Sequence, residues 1–145
     1  MTIFRKWVLG AGIFNLVAAS PLAMPFSFRD YLALLDTLNS NLGWGGRTLT
    51  PPSDPFGMLA VNTAGLALAL VGAMLIYASA NLEERVGIPL LNAIARLVFT
   101  GLVVYYVLTA DLARVILLIA LVDAVIAFVF LSLFISAPKR CDRVI

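Results

Sequence analysis

The sequence predicts an all-α integral membrane protein, a four-helix bundle with a short amphipathic helix in its first outer loop. Three observations carry this. Of the 145 residues, 62% are hydrophobic and only 12% charged, against about 45–50% and 25% in an ordinary soluble domain. The apolar residues gather into four runs, 7–24, 56–80, 89–108 and 112–135, each near the roughly 20 residues a helix needs to cross a bilayer. The runs do not alternate in polarity as barrel strands do, and in hydrocarbon every backbone amide needs an internal partner, so helices are the remaining solution. Four spans occupy most of the chain, and 1–145 reads as a single transmembrane domain.

The first run follows Arg5 and Lys6, a basic start that a secretory signal peptide shares. Its length suits a retained signal-anchor helix, broken at its end by Pro21 and Pro25. The outer loop, 25–55, is the one sizeable polar region. Within it Phe28, Tyr31, Leu32, Leu35 and Leu38 recur at helical spacing, with Arg29, Asp30 and Asp36 between them, the pattern of an amphipathic helix lying on the membrane or capping the bundle. Gly43-Trp44-Gly45-Gly46 follows as a flexible turn whose indole suits the interface. The second run is entered through Ser53, Asp54 and Pro55, with either polar residue able to cap and the proline suited to the first helical position. The third starts at Pro89. The fourth takes Thr109 or Asp111 as its cap and stops at Pro138. So short a turn between the last two spans makes them an antiparallel hairpin.

Basic residues set the expected orientation. With the amino end inside, the inner flanks hold Arg5, Lys6, Arg85, Arg96, Lys139, Arg140 and Arg143, and the outer side Arg29, Arg47 and Arg114. This bias predicts a multi-pass protein of the plasma (inner) membrane with both termini cytoplasmic. Trp7 near one boundary and Tyr105 and Tyr106 near the other suit interfacial anchoring.

Composition narrows the chemistry. With no histidine, haem ligation, most zinc sites and histidine acid-base catalysis drop out. Cys141 is the only cysteine, so there is no intramolecular disulfide or CxxC pair. The bases are spread out rather than striped, which argues against nucleic acid. Glu83-Glu84-Arg85 reads as solvated charge on a short inner loop, and Lys139-Arg140-Cys141 as a basic anchor attracted to anionic lipid. No catalytic residues, metal ligands or cofactor site are expected.

What remains are polar residues inside the spans. Asp123 stands near the middle of the fourth run, where a lone carboxylate is costly and must meet protein, water or a cation. Ala120, Ala124 and Ala127 share its face and permit close helix approach. The expected partner is Arg96 on the neighbouring span, roughly 10 Å from the inner end of its helix against roughly 18 Å for Asp123, a difference an extended arginine covers. Asn92 and Thr100 lie four residues either side of Arg96, on its face. Asn15, flanked by Ala11 and Ala19, completes a cluster of amide, guanidinium and carboxylate. Asn62, with Gly65, Ala69 and Gly72, marks a separate packing contact of the second span.

Four spans, the Asn15-Leu16 pair in the first and an aspartate in the last make the chain similar to small bacterial four-helix membrane proteins of the DoxX-like kind. That likeness implies a fold rather than an activity. The expected function is non-enzymatic, with membrane lipid and a membrane-protein partner or second copy as binding partners, in the manner of an accessory subunit. The alternative is a small-solute or proton transporter that uses the Asp123–Arg96 pair.

Overall fold

The computed structural model describes residues 2–136. The Pro138 stop, the flanking Lys139, Arg140 and Arg143, and Cys141 lie outside the described residues. Among the described residues every regular element is helical: α1 (Thr2–Ala23), α2 (Phe28–Leu42), α3 (Pro55–Ala80), α4 (Leu82–Arg85), α5 (Gly87–Ala110) and α6 (Ile116–Ser136). Helices α1, α3, α5 and α6 are each long and apolar enough to span a membrane. At most 28% of the most apolar stretch of each is buried within the protein. Side chains such as Val17, Leu91 and Leu108 therefore face outward, far more apolar surface than a water-soluble monomer leaves open. The chain is a multi-pass membrane protein whose exterior solvent is lipid.

The four spans alternate in direction. Helix α1 packs most extensively on α3 and α5 on α6, and the two hairpins meet less extensively through α1–α6 and α3–α5. At one end a core of Phe4, Val8, Leu75, Ala93 and Phe130 forms, with the Phe4 and Phe130 rings edge to face at 5.9 Å. The start of α1 and the end of α6 thus share one end of the bundle.

Local chemistry explains most helix ends. Asp54 accepts a 2.7 Å hydrogen bond from the Gly57 amide, and Pro55 opens α3 as expected. Pro21 does not break α1, which runs on to Ala23. A proline there has no amide for the Val17 carbonyl, and the Ser20 hydroxyl donates to that carbonyl at 3.1 Å instead. Arg85 does more than mark topology: it donates to the Tyr77 carbonyl in the last turn of α3 at 2.9 Å and lies 3.7 Å from the centre of the Tyr77 ring. Helix α5 begins at Gly87, with the buried Pro89 inside its first turn.

The fourth span differs from expectation at its start. Asp111 takes a left-handed conformation, φ 53°, and ends α5, while the Thr109 hydroxyl bonds back to Tyr105. Neither caps α6, which starts at Ile116 rather than 112 because residues 111–115 are spent on the turn. The first amides of α6 reach carbonyls three residues back: Ile116 to Ala113, Leu117 to Arg114 and Leu118 to Val115, the tight first turn that satisfies otherwise orphaned donors.

Helix α2 sits over this turn. Leu35 packs with Ala113 and Val115, and Tyr31, Leu49 and Ile119 surround them. Burial pushes the Tyr31 phenol above its ordinary range. Phe28 is buried, but Leu38, expected on the apolar face, is exposed. The position facing the bundle one turn beyond Leu35 is Asn39, which is polar and buried.

Candidate functional site

Arg96 is the centre of the polar site. It is 5% exposed, on the face of α5 turned toward both α1 and α6. A guanidinium carries donors in a fixed fork, and here three directions of that fork are taken by three side chains. Nε donates to Asn92 Oδ1 at 2.8 Å, one turn back on the same helix. Nη2 donates to Asn15 Oδ1 on α1 at 2.5 Å. Nη1 pairs with Asp123 Oδ1 on α6. The face of small residues predicted around Asp123 is present, with Ala120 and Ala127 buried, and it lets α6 approach closely enough for this contact.

Thr100 adds a fourth link. Its hydroxyl is shared between the Arg96 carbonyl at 2.9 Å and the Ala120 carbonyl at 3.2 Å, fastening α5 to α6 one turn from the ion pair. The sequence-derived cluster of Asn15, Arg96 and Asp123 is therefore brought together, and Asn92 and Thr100 join it. Asn62 stands apart, as expected: its Nδ2 donates at 2.8 Å to the Leu22 carbonyl in the last turn of α1.

The charges are balanced within the cluster. Asp123 is 13% exposed and opposed by one arginine, and among the described residues no buried side-chain nitrogen or oxygen lacks a hydrogen-bond partner. Chemically this is a closed joint across three helices. No group of three or more histidine, cysteine, aspartate or glutamate side chains converges among the described residues in a way that would hold a metal ion.

A second polar network, at the α2 end, was missed from sequence. Asn39 Nδ2 donates to the Gly45 carbonyl at 3.0 Å, and its Oδ1 accepts from the Val115 amide at 3.0 Å. An asparagine from one helix thus caps the start of another. The loop is tied down further by Arg47 N to the Asp111 carbonyl at 2.8 Å and by Leu49 N to Asp36 Oδ1 at 3.1 Å. Gly46, at φ +90°, lies so close to the turn that a Cβ would fall 2.8 Å from Ala113 Cα. The glycines read as a flexible turn have separate tasks: Gly43 closes α2, the Gly45 carbonyl accepts from the Arg114 amide and Gly46 packs on the helical turn, all three at positive φ that other residues rarely adopt. The signal available in the sequence was the asparagine at the place where the apolar face required another leucine.

Comparison with protein-family models, curated proteins and solved structures finds no significant match to this chain.

Proposed function

We propose that this chain is a non-enzymatic protein of the plasma (inner) membrane with both termini cytoplasmic, and that it works by binding lipid or a membrane-protein partner, as an accessory subunit does. The observation that carries this reading is the closure of the Arg96 site. A transport or proton-relay site needs a group that changes partners during the cycle. Here the guanidinium engages Asn15, Asn92 and Asp123 together, which serves to select the helix faces that meet. The orientation is supported by Arg5, Lys6 and Arg85 at the end that holds the start of α1, against Arg29, Arg47 and Arg114 at the α2 end.

Two measurements test the proposal. A reporter fused before residue 2 is expected to be active only in a form that requires the cytoplasm. In proteoliposomes carrying a pH-sensitive dye, wild type and Asp123→Asn are expected to show the same low proton leak. Proton-coupled uptake of a solute by wild type, abolished in a folded Asp123→Asn variant, would replace this reading with the transporter.

A further inference from the structure

The lipid-facing surface is not uniform. Between α1 and α6 runs an open apolar groove of about 540 Å³, floored by Gly10 and Ala11, walled by Trp7, Phe14, Val122 and Val125, and ending at Lys6. The exposed lysine at its mouth makes no hydrogen bond within the described residues that would neutralise it. Gly10 lies inside a helix, where glycine is a poorer helix former than alanine, yet a Cβ there would meet nothing within 4 Å. Unlike Gly12 and Gly72, it is not needed for packing against another part of the chain.

We infer that this groove holds one acyl chain of an anionic phospholipid whose phosphate pairs with Lys6. The inference rests on the binding function proposed above and names the ligand. Three features select lipid over a partner helix. From Lys6 to Phe14 the groove runs about 12 Å along α1, near the depth of one leaflet at about half of a 30 Å hydrocarbon core. A second hollow begins at Leu121 and ends beneath Trp44 and Arg114, so each half of the bilayer has an apolar channel finishing at a cation and a tryptophan. Phosphates lie at both surfaces and complement both cations. A helix obeying the positive-inside bias would set its own cations against Lys6.

The test uses the full chain with Trp44→Phe, leaving Trp7 as the single indole, in phosphatidylcholine vesicles doped with brominated phosphatidylglycerol or brominated phosphatidylcholine. Half-quenching of Trp7 is expected at about fivefold lower mole fraction of the anionic lipid, the factor one basic side chain contributes at an anionic surface. Lys6→Gln is expected to make the two lipids equal. Gly10→Leu, whose Cβ would meet nothing within 4 Å and whose side chain would occupy the groove, is expected to remove the preference. Gly101→Leu, at an equally open glycine on α5, is expected to keep it. Equal quenching by the two lipids in the Trp44→Phe protein, or an unchanged preference in Gly10→Leu with helix content intact, would overturn the inference. Neither outcome touches the proton-leak result, so failure of this inference and failure of the proposed function are read separately.

Discussion

The two junctions that α1 makes are held by different physics. Against α3, backbone meets backbone: a Cβ at Gly12 would lie 2.8 Å from the Gly72 carbonyl oxygen, one at Gly72 would lie 2.8 Å from that of Gly12, and one at Gly65 would run into the backbone of Leu22 and Ala23. Against α5 and α6, the helices pack less extensively and Arg96 bridges them through Asn15 and Asp123. Lipid tails are as apolar as leucine, so burial supplies no drive between helices, which leaves close van der Waals packing and interhelical hydrogen bonds. This protein relies on the first between α1 and α3 and on the second where α1, α5 and α6 meet, with Arg96–Asp123 tying α5 to α6 and Arg96–Asn15 tying that pair to α1.

The sharpest way to break that contrast is Asp123→Ala. It leaves Arg96 buried without its counter-charge, and the expected loss is about 3–5 kcal/mol, read as a fall in the denaturant midpoint of helix content in micelles. Removing both charges with Asp123→Asn and Arg96→Gln is expected to recover much of that loss. A single variant as stable as wild type would mean that the Arg96 site does not hold α6 against α5 and α1.

The steric junction answers to volume. Gly65→Ala sets a methyl against the α1 backbone, and the expected cost is about 1–3 kcal/mol, the usual range for overpacking. The same unfolding measurement checks it, and combined with Asp123→Ala the two losses are expected to add, because the sites share no partner.

Smaller effects test whether the ends of the helices follow the same division. Asn39→Ala removes the cap on Val115 and is expected to cost about 1 kcal/mol, with faster amide exchange confined to residues 113–118. Asn62→Ala, which frees the Leu22 carbonyl, is expected to cost about 0.6 kcal/mol, the average for a hydrogen bond between membrane helices. An Asn62 effect as large as that of Asp123 would erase the distinction between the steric and the polar junction.

The Arg96 site was legible in the sequence because hydrocarbon makes an unpaired charge intolerable and the short connection after α5 makes α6 its neighbour. Asn15 was legible for the related reason that an amide in a span needs a partner. The Asn39 network was not, because an asparagine in a surface helix is ordinary wherever water is available. The cap of α6 was also misplaced: an aspartate before a helix commonly caps it, but Asp111 instead supplies the left-handed turn that ends the helix before it.

Composition and the length of the apolar runs by themselves determined that this is a helical membrane protein with four spans, since the bilayer leaves the backbone no other way to satisfy its amides. The tertiary structure decided which polar groups meet, how near α1 comes to α3, and that the glycine loop closes over the α5–α6 turn. Those outcomes depend on contacts between residues distant in sequence, where a shift of a few ångströms replaces one hydrogen-bond partner with another.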